Sequence, residues 1–261
     1  MAHAKTFRVA TLNVNGIRSG LAKGLADWLA KNKPDVLCLQ EIKTQPKDLA
    51  QWSAALDGWH CQWLPAAKPG YAGVGVVSRA QPAKTVAKFG DAVFDGEGRW
   101  LEIDCALGKV VSLYLPSGTT GDVRQQVKYA AMDLLYKRLA KLAKANKPAV
   151  VAGDYNIAHT KLDIKNWQSN QKKSGFLPEE REWLTKVLDQ LKWVDVFRAL
   201  EPRPEQYSWW SLRSGARKRN VGWRIDYQLA TPALAKKATK AWIDAGPVLS
   251  DHAPVVVDYR L

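Results

Sequence analysis

Histidine and cysteine are scarce in this chain, with four of the one and three of the other in 261 residues. Cys38, Cys61 and Cys105 are an odd number at wide spacing inside apolar segments, which argues against a disulfide framework or a zinc site and for reduced thiols in the core. No run approaches the ~18 consecutive apolar residues of a membrane helix. The opening MAHAKTFRVATL lacks the apolar block of a secretory signal, so a soluble protein of the cytoplasm is expected. GxxxxGKS/T, GxSxG, HExxH and CxxC are all missing, and with them the sequence grounds for P-loop, serine-hydrolase, zinc-protease and dithiol chemistry.

Acidic residues are the remaining deficit. Twenty-five Asp and Glu face 39 Lys and Arg, a formal net charge of +14. Such an excess favours a polyanionic partner, because basic side chains release counterions when they meet phosphates, although a solvated basic surface would carry the same count. Hydrophobic residues make up 46%, enough for a substantial core, and no linker-like stretch or repeat divides the chain, so one domain over residues 1–261 is expected. Of 12 tryptophans, Trp28, Trp52, Trp59 and Trp63 sit amid apolar neighbours and read as core.

Strand-like runs recur at residues 7–14, 35–40, 73–78, 99–105, 109–115, 149–154, 224–230 and 253–261. Leu21, Leu25, Trp28 and Leu29 share one helical face, as do Leu134, Leu135, Leu139 and Leu142 within residues 122–146. Pro178, followed by Glu179 and Glu180, opens a helix reaching about Leu191. Residues 162–176 and 213–222 read as long polar loops, which in a compact domain are more often functional than idle.

Several strand-like runs end alike, with apolar residues giving way to an acid or an amide. TLNVNG delivers Asn13 and Asn15, LCLQE Glu41, VVAGDYN Asp154 and Asn156, and VLSDHAPV Asp251 and His252, while VGWRIDYQ carries Asp226. Any one alone reads as a turn or cap. A sheet edge, however, gathers strand ends from distant sequence into one crevice. Glu41 and Asp251 are hard oxygen ligands of the kind Mg²⁺ takes. Asp226 is a candidate partner for His252, fixing its ring and favouring the charged form. Together these groups make a kit for phosphodiester hydrolysis: a cation for the developing charge, a carboxylate to orient water, and an acid or cation near the leaving oxygen.

LNVNGIRS, LCLQEIK, GYAGVGVVSR, SLYLPSG, GDYNIAH, SGFLPEERE, GWRIDYQLA and SDHAP follow one another in the order found in the exonuclease III family of apurinic/apyrimidinic (AP) endonucleases, within the DNase I-like phosphodiesterases. The chain resembles that family nearly end to end. The resemblance implies an α/β fold, a four-layer αββα sandwich of two mixed β-sheets flanked by helices. It implies that Glu41 is the principal metal ligand, with Asn15 and Asp251 beside the metal, and that Asn13 belongs to the hydrogen-bond network. Asp154 would orient or deprotonate the attacking water and Asn156 would support that water and the phosphate. Asp226 would partner His252 at the scissile phosphate, with Tyr114 near the phosphate or leaving oxygen. The implied cofactor is Mg²⁺, with Mn²⁺ as a substitute. The implied partner is double-stranded DNA containing abasic sites or 3′-blocked ends, bound by a monomer in a bacterial cytoplasm, at the nucleoid.

The implied reaction is cleavage 5′ to an abasic site, with 3′-to-5′ exonuclease and 3′-end cleaning in a balance the sequence does not set. A 3′-end specialist and an inactive DNA-binding protein are the alternatives. DIKNWQSNQKKSGF resembles the family's DNA-binding loop and offers Asn166, Asn170, Lys172 and Lys173 to the backbone. Arg213, Arg217, Lys218, Arg219 and Arg224 occur with no acid among them and are expected to meet phosphate. Trp209 and Trp223 match the walls of a pocket for the flipped abasic sugar, near Ile225, and such a pocket would reject an attached base by shape. Asn15 stands where some relatives carry aspartate, which removes a charge beside the metal. Arg213 stands in a loop where others insert larger apolar side chains, and is a candidate to fill the gap left by a missing base. His159 is expected to bond within its turn rather than to act in catalysis.

Overall fold

A computed structural model of the protein describes residues 5–261. In chain order the strands among them are β1 (Thr6–Asn13), β2 (Val36–Gln40), β3 (His60–Leu64), β4 (Val74–Ser78), β5 (Lys84–Val86), β6 (Trp100–Cys105), β7 (Gly108–Tyr114), β8 (Ala149–Asp154), β9 (Val194–Asp195), β10 (Trp209–Trp210), β11 (Gly222–Trp223), β12 (Asp226–Ala230), β13 (Ala238–Ile243) and β14 (Val255–Arg260). The helices are α1 (Ile17–Ala22), α2 (Leu25–Asn32), α3 (Leu49–Ala54), α4 (Ala92–Gly96), α5 (Asp122–Lys144), α6 (Trp167–Asn170), α7 (Pro178–Asp189), α8 (Val196–Leu200) and α9 (Pro232–Ala235).

Two six-stranded sheets form, in the orders β13-β14-β1-β2-β4-β3 and β5-β6-β7-β8-β12-β9. Each is mixed. Its one parallel pair, β1 with β2 or β7 with β8, lies near the centre with antiparallel neighbours outside. The inner faces pack together through Val9, Val36, Cys38, Val76, Ile103, Val110 and Val150. Helices α1 and α2 cover the outer face of the first sheet, and α5 and α7 that of the second. This is the four-layer sandwich the sequence implies, and burial on both faces explains why the central strands read as nearly unbroken apolar runs.

Buried polar groups tie the inner faces together. Gln40 Nε2 donates to Ser112 Oγ at 3.0 Å, and Gln228 Nε2 donates to the carbonyls of Val9 and Val255 at 2.9 and 3.1 Å. Because β1, β2, β7 and β8 all end on the same side, and β12 and β14 begin there, one edge collects Asn13, Glu41, Tyr114, Asp154, Asp226 and His252. Ligands of α/β sheets bind beyond the carboxyl ends of parallel strands for this reason.

The single face through Leu21 and Leu29 belongs to two helices rather than one. Gly24, at φ +92°, ends α1 and caps α2, and both still bury their apolar residues in one cluster. Sequence patterning also does not anticipate β3, β5 or β13. Each pairs with only one neighbour, and such edge strands need no continuous apolar run.

Gly153 has a steric reason to be glycine. Its φ is +155°, and a Cβ there would lie 1.9 Å from the Leu113 carbonyl oxygen on the parallel neighbour. Gly153→Ala is expected to lower stability by about 3 kcal/mol, a fall in Tm of roughly 6–12 °C by calorimetry, and to displace Asp154 next to it.

Candidate active site

The floor of the site is a hydrogen-bonded chain of side chains from both sheets. Asn13, fully buried at the end of β1, donates through Nδ2 to Glu41 Oε1 at 2.8 Å and to Asp154 Oδ2 at 2.9 Å, while its Oδ1 accepts from the Asn15 N–H at 3.0 Å. The Tyr114 hydroxyl donates to Glu41 Oε1 at 2.9 Å. Burial, then the charges of Glu41 and Asp154, push its phenol well above the usual range, so it stays a donor.

Asp154 Oδ1 accepts the Asn156 N–H at 2.8 Å. Burial first, then the charge of Asp226, raise its carboxyl to about 7. His252 Nδ1 lies 2.9 Å from Asp226 Oδ2, and its Nε2 lies 3.9 Å from Asp154 Oδ2. Burial alone would lower the imidazole, but the charge and hydrogen bond of Asp226, with Asp154 and Asp251, carry it up to about 10. Ser208 steadies the pair: its Oγ donates to Asp226 Oδ2 at 2.6 Å and accepts the Ile225 and Asp226 N–H groups.

On the other flank, Asn15 donates to Asp251 Oδ1 at 3.0 Å, and Trp209 Nε1 donates to Asp251 Oδ2 at 3.0 Å. Lys43, which sequence reasoning passed over, sets its ammonium 2.8 Å from Glu41 Oε2 and 2.5 Å from Asn15 Oδ1. Burial would raise the Glu41 carboxyl, yet Lys43 and Asn13 hold it below its ordinary value. Two groupings of donors therefore coexist. Glu41, Asn15 and Asp251 offer hard oxygens, the first two already in contact with the Lys43 ammonium, and such a donor set fits a hard divalent ion. Asp154, Asp226 and His252 bring ligand atoms within 4.8 Å of one another, but there the imidazole is committed to Asp226.

Glu41, Tyr114, Asp154, Asn156, Asp251 and His252 line a cavity of about 1100 Å³. One wall is apolar: Trp209 and Trp223 stand edge to face, 6.0 Å between centroids at 90°, over Phe176, Ile164 and Ile225. Gly175, at φ +94°, permits this, since a Cβ there would stand 2.9 Å from the Trp223 ring. The loop that pairs with this wall through Ile164 carries Asn166, Asn170, Lys172 and Lys173 to the cavity. Asn166 and both lysines are exposed. Asn170 is buried and donates to the carbonyls of Lys165 and Asn166, shaping the loop.

The basic loop divides in a way its sequence does not show. Arg213 is exposed, as are Lys218 and Arg219. Arg217 instead donates to the carbonyls of Ser250, Ala245 and Pro247, each at 3.0 Å, and packs over Trp210, so it straps the loop that carries Asp251 and His252. The expectation of phosphate contact fails for Arg224. It is fully buried, with Nε 2.7 Å from Asp163 Oδ1 and Nη2 2.7 Å from Asp195 Oδ2. His159 bonds to other elements of the fold rather than within its own turn as expected: its N–H donates to the Tyr227 hydroxyl, 68 residues on, and its Nε2 lies 2.9 Å from Thr185 Oγ1.

A second unforeseen strut is Lys128, wholly buried, whose ammonium lies 2.6 Å from Glu180 Oε1 and 2.8 Å from the Asn156 carbonyl. Glu180 Oε2 accepts the Gly175 N–H at 2.6 Å and the Leu177 N–H at 3.1 Å, so one ion pair orders the adjacent turns at Asn156 and Gly175. Buried Lys and Glu are rare without such pairing, but nothing in the local sequence of either names its partner.

Acids, an imidazole and a cation-holding carboxylate at the common edge of two facing mixed sheets define a hydrolase of the DNase I-like class. The chain belongs to the Endonuclease/Exonuclease/phosphatase family, whose pattern matches residues 10–252. It is 35% identical over 250 residues to an exodeoxyribonuclease of Bacillus subtilis, covering 95% of this chain and 97% of that one. It is 33% identical over 257 residues to the DNA repair nuclease APEX1 of Danio rerio, covering 97% and 82% respectively. Among solved structures, an AP endonuclease from Archaeoglobus fulgidus superposes with a TM-score of 0.89 at 30% identity, covering 98% of this chain and 100% of that one. A Neisseria 3′ phosphatase bound to a product DNA hairpin gives the same TM-score at 27% identity, again covering 98% and 100%.

Arg224→Met is expected to strip Asp195 of its guanidinium partner and Asp163 of one of two. Urea unfolding should show a loss of about 3–5 kcal/mol. Lys172→Ala, at an exposed position, should stay within about 0.5 kcal/mol of the parent.

Proposed function

We propose that this chain is a Mg²⁺-dependent DNA repair phosphodiesterase that cleaves the backbone 5′ to abasic sites, leaving a 3′-hydroxyl and a 5′-deoxyribose phosphate. The observation that carries this reading is the meeting, across one cavity, of a carboxylate and imidazole set with an apolar recess walled by Trp209 and Trp223.

Asp154 is the base. With its carboxyl near 7 it accepts a proton from water at neutral pH, while Asn13 and the Asn156 N–H fix its two oxygens. His252, charged and held by Asp226, donates to a phosphate oxygen, and the protonated Tyr114 hydroxyl adds a second donor. Glu41, with Asn15 and Asp251 beside it, would hold the metal ion, which when bound would supply positive charge against the phosphate and leaving oxygens. Trp209, Trp223 and Ile225 receive a base-free sugar, and an attached base is rejected by shape. Lys172, Lys173, Asn166 and Arg213 meet the backbone and position the duplex without reading its sequence. The likeness to the Neisseria 3′ phosphatase supports a second reading, a 3′-end-cleaning enzyme using the same groups.

A labelled duplex carrying one tetrahydrofuran analogue, incubated with Mg²⁺ or EDTA beside an intact duplex, separates the two. Metal-dependent cutting at the analogue is expected; stepwise 3′ shortening alone would favour the second reading, and no cutting would refute both. The kcat/KM profile should rise as Asp154 loses its proton near pH 7 and fall as His252 loses its own near pH 10. Asp154→Asn should abolish the rising limb and cut the rate by about 10²–10⁴, with DNA Kd, measured by anisotropy, nearly unchanged.

A further inference from the structure

Lys43 lies two residues beyond Glu41, and its ammonium bonds two oxygens, Glu41 Oε2 and Asn15 Oδ1, of the residues proposed to hold the metal. The backbone is built to bring it there. Glu41 and Lys43 both lie in the left-handed region, at φ +49° and +48°, with buried Ile42 between them. Neither residue type favours that conformation, and each costs about 1–2 kcal/mol. Backbone bonds hold it: the Gly16 and Ile17 N–H groups donate to the Glu41 and Ile42 carbonyls, and the Ile42 and Lys43 N–H groups donate to Gly73 and Ala72. The twist brings the Lys43 ammonium onto both Glu41 and Asn15.

Occupancy by the ammonium has a consequence for any other cation. A divalent ion binding through Glu41 Oε2 and Asn15 Oδ1 meets oxygens that Lys43 already engages, and Asn15, being neutral, adds no charge to offset the repulsion between ion and ammonium. The Lys43 side chain is 30% exposed on a flexible stem, so it has solvent to move into. We propose that Lys43 is a tethered cation that keeps the metal position filled in the ion-free protein and competes with the divalent ion for Glu41 and Asn15. The proposal rests on the reading of Glu41 as the metal ligand. Lys43 thereby preserves the arrangement of Glu41 and Asn15 without metal, at the expense of metal affinity.

The test is direct binding of Mn²⁺ to DNA-free protein, followed by calorimetry and by the electron paramagnetic resonance signal of free Mn²⁺. Lys43→Met should bind Mn²⁺ about five- to tenfold more tightly than the parent, since it removes one partly exposed charge contact. Lys43→Arg, which keeps the charge, should stay near parental affinity, and Glu41→Gln should lose binding. Unchanged or weaker binding by Lys43→Met, with Glu41→Gln still deficient, would overturn the role given to Lys43 and leave the metal site standing. Parental binding that survives Glu41→Gln would overturn both. A measurement on the parent chain needs no altered Lys43 to fold: after reductive ¹³C-methylation, the Lys43 resonance should move toward that of a free lysine on Mg²⁺ addition. Its failure to move at saturating Mg²⁺ would overturn the proposal.

Discussion

The active-site geometry depends on one amide. Asn13 is contributed by the first sheet and Asp154 by the second, and they lie 141 residues apart in the chain; the Asn13 Nδ2 group bonds to Asp154 and to Glu41 at once. Two carboxylates converging from opposite sheets would repel, and an acid in the middle would make this worse. A neutral donor with two hydrogens meets both anions and adds no charge. Its oxygen is satisfied by the Asn15 N–H and its carbonyl by Ser250 Oγ, so the group is buried with its polar atoms paired. Gln40 with Ser112, and Gln228 with the β1 backbone, repeat the device deeper between the sheets and fix how the two stack.

Around this seam the chain uses buried ion pairs as struts for its loops. Lys128 with Glu180 orders the turns at Asn156 and Gly175, and Arg224 with Asp163 and Asp195 joins three segments behind the Trp223 wall. Such pairs bring little net stability over apolar packing, because desolvation offsets the attraction. What they add is direction: a bidentate guanidinium accepts few arrangements of its partners, and the Trp223 wall in front of it is held accordingly. The interior cations are matched by interior acids, so the surplus positive charge lies on the outside, where it acts on a polyanion.

Much of this could be read from the residues in order. The central strands are buried on both faces and announce themselves as apolar runs, and the acids and amides at their ends stand out because such runs seldom finish that way. Edge strands β3 and β13 carry no such signal, and the break between α1 and α2 turns on the conformation of Gly24, which periodicity does not register. The basic loop misled for a physical reason. The acid nearest Arg224 in sequence, Asp226, is taken up by His252 and Ser208, and the partners Arg224 does have lie 61 and 29 residues away. Arg217 escapes notice differently, because backbone carbonyls leave no trace in side-chain identity. Local charge counting identifies cations; only the fold decides which of them remain available.

The backbone at the site makes the same point from the other direction. Asn15, Glu41, Lys43 and Asn156 all adopt left-handed φ values between +47° and +53°. Asparagine tolerates that region through local hydrogen bonding, but glutamate and lysine gain nothing from it intrinsically. Strain of this sort persists where the surroundings over-determine it, and here four backbone hydrogen bonds pin the Glu41–Lys43 turn between β1 and the loop before β4. A relaxed strand end would alternate its side chains across the sheet and send Glu41 and Lys43 the same way only by extending along it. The left-handed pair folds that spacing back on itself, so that an anion and a cation two residues apart meet each other at 2.8 Å. The chain thus sets a cation of its own against Glu41 and Asn15, and the regular strands behind supply the rigidity that keeps it there.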